Sequence, residues 1–510
     1  MRLKVSFMFL FTVLHTLEGF KILGVFHMPA KSHYMSYNTL MKILAEKGHE
    51  VTILASFKDE NSPKNYKQIV MEGLYEKYED NSINWFEFTP LTWIMPIFFN
   101  FMTTNLIENT FNHTVFKEFM KTEEKFDAVI IEEFQATAMK YVAHHFNAQL
   151  IVYSALDAND WTNPFQGNPD TPSYHPSLYL SHLTNHMSFF ERVENTIFYV
   201  YAKILSNLIN FPAQNRLVHK YYPNAPDLAD IAYNVSLVLL NSDPSVHEPI
   251  PKVPSMKDIG GFHIRKPKPL PNDLQTVLDN AKHGVVYFSL GSNVKSKDMP
   301  KEKRDFILRK FSKLKETVIW KFEDPDLPGK PDNVIISKWL PQNDIFAHKN
   351  VKLFITHGGL FSTMEAVYHG LPVLALSVFA EQKLNGKRAE TNGFGRHIPF
   401  KELTEDNFSE TLDDLLKNPK YKENAKMRSQ IMRDKPIEPA EAVNYWVEYV
   451  IRHRGAPHLR VAALDLEWYQ YLLIDVVLFI LAVVVAAVLL LRFLVKLIFK
   501  KKPTSKKKKN

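Results

Sequence analysis

From residue 20 the chain moves between two hydrophobic rhythms. The unbroken apolar run FKILGVF leads through a polar HMPAKSH into SYNTLMKILAEKG, where Tyr37, Leu40, Met41 and Leu44 recur on one helical face. Gly48 stands where such a helix is capped, and the β-rich run HEVTILAS follows. Strand, helix and strand in that order predict a βαβ unit of a parallel sheet. The rhythm returns in KFDAVIIEEF at 125–134, a helical QATAMKYVAHHFNA and the strand QLIVYSAL.

A second series opens with the strand GVVYFSLGS at 284–292. It continues through a helix near 300–315, strands TVIWKF, NVIISKWL and VKLFITHGG, another helix, the strand LPVLALSVF, and helices beyond 400. Between the two series, residues 244–272 are dense in proline, which disfavours continuous helix and keeps the backbone extended. The pattern predicts two α/β domains of similar size, 20–243 and 273–436, joined by a 244–272 linker and followed over 437–470 by a return helix and a juxtamembrane segment. No short-period repeat is present, which excludes solenoids and propellers.

Two stretches depart from the α/β rhythm: LTWIMPIFFNFMTTN at 91–105, and the region from 160 to 225 that begins near WTNPFQGNPDTPSYHPSLYL. Each alone reads as ordinary core. Hanging together from one α/β domain, they predict the lining of an apolar cavity.

The two ends are of another kind. MRLKVSFMFLFTVLHTLEG carries Arg2 and Lys4, then an apolar run, then Gly19, which predicts a signal peptide over 1–19. YLLIDVVLFILAVVVAAVLLL at 471–491 is apolar on every face, with Asp475 at its edge and Trp468 and Tyr471 where an interfacial belt belongs. About twenty helical residues at ~1.5 Å each span a hydrocarbon core roughly 30 Å thick, so this stretch predicts a single transmembrane helix.

Charge sharpens that topology. Residues 492–510 hold nine Lys or Arg and no acid, so the formal +7 of the chain becomes −2 without them. The basic balance belongs to the tail, which removes support for nucleic-acid binding. It also places the tail in the cytosol and the domains in the lumen. The terminal KKKKN sets Lys507 and Lys508 at the spacing of a dilysine retrieval signal, or forms a polybasic patch for anionic lipid. With the signal peptide, the expected location is the endoplasmic reticulum membrane, single-pass type I. The chain has no cysteine, which excludes disulfides, thiolate catalysis and cysteine metal sites. Asn112, Asn234 and Asn407 head Asn-x-Ser/Thr sequons compatible with a lumenal glycoprotein.

Candidate chemistry concentrates in FITHGGLFSTMEAVYHG at 354–370. A parallel strand that ends in His357-Gly358-Gly359 and leads into a helix offers free N–H groups and a positive dipole end, which is a phosphate site. Glu365 lies about two turns further, ~10 Å on, where a carboxylate accepts the hydroxyls of a ribose. In the first domain, His33 follows the first strand and Glu132 ends DAVIIE. Carboxyl ends of parallel strands share one edge, so the two can meet over a cleft, where an acid beside imidazole makes a general base. Asp324 to Asp326 formally match a cation-binding Asp-x-Asp, but EDPDLPGK reads as a turn, and no catalytic metal is expected.

The motifs GGFHI, FSLGS, WLPQND, THGG…STMEAVYHG, FAEQ and HLRVAALDLEWYQY together resemble the membrane-bound animal UDP-glycosyltransferases, with a flavour closest to the insect members, over nearly the whole chain. The resemblance implies a GT-B fold, two Rossmann-like domains facing across a cleft, with a UDP-sugar as co-substrate and neither cofactor nor metal. It implies that Trp339 and Gln342 flank the uracil and ribose. Ser292 and His357, with the backbone of Gly358 and Gly359, hold the diphosphate, Glu365 the ribose hydroxyls, and Glu381 and Gln382 the transferred sugar. Read from the residue alone, Trp339 is either such a platform or core. His33 would deprotonate the acceptor.

Three positions depart from the family pattern: Glu132 replaces the usual aspartate, Glu381-Gln382 replaces Asp-Gln, and Phe361 stands where relatives place an asparagine, with Ser362 beside it as a substitute. The expected activity is inverting transfer of a hexose, glucose by likeness to the insect members, to small lipophilic hydroxyl compounds in detoxification or steroid and phenolic conjugation. The alternative is a catalytically impaired homologue that binds UDP-sugar or a lipophile. A homo-oligomer stays open. A dinucleotide oxidoreductase is disfavoured, because GFGRHI lacks both the third glycine and the preceding strand.

Overall fold

A computed structural model describes residues 19–80, 84–88 and 91–499 of the chain. The expected signal peptide, apart from Gly19, and the terminal KKKKN lie outside the described residues. The chain divides into two units, one ending at Arg460 and one beginning at Val461.

The first unit is built on two parallel sheets. One holds β1 (Lys21–Val25), β2 (Glu50–Ala55), β3 (Tyr66–Val70), β4 (Ala128–Glu132), β5 (Gln149–Ser154), β6 (Leu237–Leu240) and β7 (Met256–Asp258), in the order β3-β2-β1-β4-β5-β6-β7. The other holds β8 (Val285–Ser289), β9 (Thr317–Lys321), β10 (Val334–Ser337), β11 (Val351–Thr356), β12 (Val373–Ser377) and β13 (Gly395–Pro399), in the order β10-β9-β8-β11-β12-β13. Strands covered on both faces read as near-continuous apolar runs. Accordingly β4 (AVIIE) and β12 (VLALS) are buried at every position. Successive residues feed opposite sides: Val129 and Ile131 enter one core cluster, Ala128 and Ile130 the other.

Each sheet reverses its winding once, between β1 and β4 and between β8 and β11. Such a switch point opens a crevice at the carboxyl ends of the two strands. Register puts Val25 beside Ile131 in the first sheet and Ser289 beside Thr356 in the second. The residues that follow these four strand ends are therefore neighbours, although they are far apart in sequence.

The helix Lys31–Glu46 buries Tyr37, Leu40, Met41 and Leu44, and Gly48 takes a left-handed φ of 99° just beyond it. Two elements differ from expectation. Met256–Asp258, inside the expected linker, pairs with β6 and closes the edge of the first sheet. An edge strand is the one place where flanking prolines leave no ladder bond unmade. The expected helix after β4 is broken into a 3-10 turn, Thr137–Lys140, and a single helical turn, Tyr141–His145. Gln135 is left-handed (φ 54°), and the Ala136 N–H bonds to Glu133 Oε1 at 3.2 Å, so the first turn is diverted to a side chain.

The chain crosses between the two sheets twice. After the second sheet, the helix Pro439–Arg452 buries Val443, Val447 and Val450 in the core of the first domain, with Asn444 Oδ1 2.9 Å from His49 Nε2. Lys435 ties this return to the outward crossing: its Nζ donates to Gly260 O at 2.8 Å and pairs with Asp243 at 2.6 Å.

In the second unit the helix Ile474–Ile498 runs 25 residues and buries none of them; it is long and apolar enough to cross a membrane. It begins three residues after the expected span of 471–491 and continues seven beyond it, through Arg492 and Lys496. Both are good helix formers, so the backbone continues where hydrophobicity stops marking it.

Candidate active site

The two switch points face each other across a cleft of about 1490 Å³. His33, Ser292, Trp339, Gln342, His357, Gly359, Ser362, Glu365, Glu381 and Gln382 line it. Of the remaining expected residues, Glu132 stands behind His33 and Gly358 beside His357.

On the first-domain side, His33 sits in the first turn of the helix after β1 and Glu132 ends the adjacent β4. His33 Nδ1 lies 2.5 Å from Glu132 Oε1, with the histidine side chain 18 % and the glutamate 1 % exposed. A carboxylate only accepts, so Nδ1 carries the proton and Nε2 keeps its lone pair. Burial works against protonating the ring. The Glu132 carboxylate and its hydrogen bond, with Glu381 adding to them, outweigh burial and hold the imidazole above its ordinary value.

The walls around His33 are aromatic. Phe134 meets its ring edge-on at 5.5 Å, and Trp161 lies 5.1 Å from Phe134. Phe99 and Tyr179 complete the pocket, with the Tyr179 hydroxyl accepting from Trp161 Nε1 (3.1 Å) and Gln135 Nε2 (2.6 Å). Both sequence stretches expected to line a cavity contribute. Only one face of each does so, for Phe101, Phe189 and Phe190 point to solvent.

On the second-domain side, β8 and β11 end alike. Ser289 Oγ accepts from Gly291 N (3.2 Å) and Thr356 Oγ1 from Gly358 N (3.1 Å), which turns both chains sharply into the cleft. The His357 ring lies between two glycines: a Cβ on Gly291 or on Gly359 would come within 2.6 Å of it. Gly359 caps the helix Leu360–Tyr368, whose N-terminal N–H groups open beside the ring. Burial first, then the Lys321 charge, depress His357 to about 4, which favours the neutral ring.

Gln342, at the start of a short helix after β10, joins two of the expected residues. Its Nε2 donates to Ser362 Oγ at 3.0 Å and to Glu365 Oε2 at 2.6 Å. Burial raises Glu365 to about 7, against the Gln342 hydrogen bond and the Arg265 charge. Trp339 is 63 % exposed at the cleft margin, a free platform and not core. Ser362, the expected substitute beside Phe361, is thus engaged by Gln342. The Phe361 ring instead stands edge-on to His263 at 5.0 Å.

Glu381 and Gln382 follow β12 in a turn whose Ala380 has φ 50°. Gln382 Oε1 accepts from Val378 N (3.0 Å) and Phe379 N (3.2 Å), which commits its carbonyl and leaves its amide N–H groups for a ligand. Burial raises the Glu381 carboxyl, its own backbone N–H and His33 opposing.

Residues that sequence reasoning passed over complete the site. Lys321, the last residue of β9, donates to Gly291 O at 2.8 Å and pairs with Glu323 at 3.0 Å beside His357. Its place at a strand end one strand from β8 was a usable signal. Arg265 and Trp85 also line the cleft, but neither sits in a periodic element that would have marked it. Asn293 Nδ2 bonds Ser32 Oγ across the cleft at 3.2 Å. Asp326 N donates to Asp324 Oδ1 at 3.0 Å, the geometry of a turn.

The family described as UDP-glucoronosyl and UDP-glucosyl transferase matches residues 21–509. The chain is 38 % identical over 474 residues to the UDP-glycosyltransferase UGT5 of Dactylopius coccus, covering 91 % of this chain and 89 % of that protein. It is 31 % identical over 478 residues to UDP-glucuronosyltransferase 2B7 of Homo sapiens, covering 88 % of each. Among solved structures it resembles CalG4, the calicheamicin glycosyltransferase, at a TM-score of 0.57 and 16 % identity, over 86 % of this chain and 100 % of that one. Glycosyltransferase VinC, solved in complex with DTDP, matches at 0.57 and 15 % over 85 % and 100 %. At such identity the likeness carries the fold alone, which is GT-B.

Proposed function

We propose, since the chain belongs to the UDP-glucoronosyl and UDP-glucosyl transferase family and is a glycosyltransferase of it, that it transfers glucose from UDP-glucose to a hydroxyl of small lipophilic acceptors with inversion. Enzymes of the family use a UDP-sugar as co-substrate and need no metal. The observation that carries the reading is the contact between His33 and Glu132 inside an aromatic pocket, opposite the groups that would hold UDP.

The acceptor enters among Phe99, Phe134, Trp161 and Tyr179, whose apolar faces favour a flat lipophilic body. His33 Nε2 takes the hydroxyl proton as the acceptor oxygen attacks the anomeric carbon, and Glu132 steadies the imidazolium that forms. The bond from that carbon to the β-phosphate oxygen breaks on the opposite face, its electron pair leaving with UDP. One displacement inverts the configuration.

Trp339 stacks on the uracil, and Gln342 with Glu365 takes the ribose hydroxyls. Ser292, His357 and the N–H groups of Gly358 and Gly359 hold the diphosphate, with the helix dipole opposing its growing charge. Glu381 and the Gln382 amide take hydroxyls of the sugar. Glucose is supported by a Dactylopius coccus relative named UDP-glucosyltransferase 2, 35 % identical over 487 residues.

The Glu132 substitution supports activity: the longer side chain reaches His33 at hydrogen-bonding distance. The Ile474–Ile498 helix would hold the protein in the endoplasmic reticulum membrane with its domains lumenal, which suits conjugation of membrane-soluble compounds.

Full-length protein in membranes tests this by UDP release with UDP-glucose or UDP-glucuronate against a phenol and steroid panel. Turnover with UDP-glucose, lost in His33→Ala while UDP still binds, is the expected result. Binding of UDP without turnover for any pair would favour the non-catalytic carrier.

A further inference from the structure

The segment from Asn84 to Phe88 belongs by sequence to the first domain, yet its two leading aromatics are seated in the second. Asn84 folds it into a tight turn, its side chain and carbonyl accepting from Phe86 N (3.2 Å), Glu87 N (3.1 Å) and Phe88 N (3.0 Å). Phe86 is buried, 8 % exposed, in the core of the second sheet, 4.6 Å from Phe400. Trp85 lies flat on Phe379 with centroids 4.0 Å apart and planes 15° apart. Next to the segment, Glu79 pairs with Lys295 of the second domain at 2.5 Å.

Phe379 is the residue before the left-handed Ala380, which leads into Glu381 and Gln382. A non-glycine residue at φ 50° is strained, and such a turn persists only when its surroundings over-determine it. From within, it is held by the Gln382 carbonyl. From outside, the covering ring is Trp85. The same tryptophan begins a line of ring contacts, Phe88 at 5.7 Å, Phe98 at 5.2 Å, Phe99 at 5.7 Å and Phe134 at 5.9 Å, that ends on His33 at 5.5 Å. The turn and the base are thus located by one continuous packed wall of the cleft.

We propose that Trp85 is a positioning residue for the transferred sugar: it fixes the Phe379–Gln382 turn and so sets Glu381 and Gln382 relative to His33. This rests on the reading of that turn as the sugar subsite. The uridine and diphosphate groups lie on other elements, with Gly358 meeting the turn only at the Gln382 backbone.

The test compares dissociation constants of UDP and UDP-glucose for the full-length protein, wild type and variants. Trp85→Ala is expected to leave UDP within about twofold and to weaken UDP-glucose about fivefold or more. Trp85→Phe restores most of the difference. Combining Trp85→Ala with Phe379→Ala adds little to either alone, because they share one contact. Equal weakening of UDP and UDP-glucose by Trp85→Ala, or a loss of thermal stability with the ratio unchanged, would overturn the proposal. Glu381→Ala separates the two levels. If it leaves the ratio unchanged, the turn is not the sugar subsite. If it shifts the ratio and Trp85→Ala does not, only the role of Trp85 falls.

Discussion

His33 Nδ1 lies 2.5 Å from Glu132 Oε1 across the strand pair at which the first sheet reverses its winding. The contact raises the histidine above its ordinary value of about 6.5. A general base acts in its neutral form, so kcat/KM should rise with pH through the raised value and be lost below it. Replacing Glu132 with Gln removes the larger raising influence and leaves burial opposed only by Glu381, so the acid limb moves to lower pH while kcat falls. His33→Ala should lower kcat by roughly 10² to 10⁴ at unchanged UDP affinity. A wild-type profile flat from pH 5.5 to 8.5 would exclude His33 as the base.

Glu365, raised to about 7 by burial, should make donor binding pH-dependent. Hydroxyls donate best to the ionised carboxylate, so affinity for UDP-glucose should weaken as pH falls below about 7. UDP-glucose is the proper probe, because its diphosphate is esterified at both ends and has no group titrating near neutrality. Calorimetry across that range should show the slope in wild type and its loss in Glu365→Gln.

Gly359 has an ordinary φ of −63°, so alanine there is unstrained in backbone. Its Cβ would nonetheless stand 2.6 Å from His357 Nε2 and must displace the ring. Loss of one hydrogen bond to a charged phosphate is worth about 1.5–3 kcal/mol, or roughly 10- to 100-fold in UDP affinity. Titration of Gly359→Ala with UDP checks this, and an unchanged constant would remove His357 from the diphosphate site.

Behind the dyad, Lys140 and Glu133 form a fully buried pair at 3.5 Å, with Lys140 Nζ also donating to Ala232 O at 3.3 Å. Lys140→Met leaves the glutamate charge unpaired and should cost about 3–5 kcal/mol of stability. Adding Glu133→Gln should recover most of it. Thermal unfolding of the single and double variants decides, and additive losses would show that the two are not coupled.

Much of this was legible because strand ends are legible. The apolar runs ending at Val25, Glu132, Ser289 and Thr356 located four edges, and parallel topology then brought His33 to Glu132 and Gly291 to His357. Lys321 was missed at a fifth such edge because its run, TVIWK, ends in a residue that reads as solvated surface. Trp85 and Arg265 had no rhythm to betray them; they lie in irregular backbone whose position is set only by packing. Phe101 and Phe189 read as cavity from composition, which cannot tell which face of a helix turns inward.

The two chain crossings joined by Lys435 limit how the halves of the catalytic unit move. A single connecting segment would allow one half to swivel freely on the other. Two crossings bound at one place leave mainly rotation about a single line, like the spine of a book. Opening along that line would also have to draw Phe86 out of the core of the second sheet, so His33 and Glu381 would part only as that seat gives way.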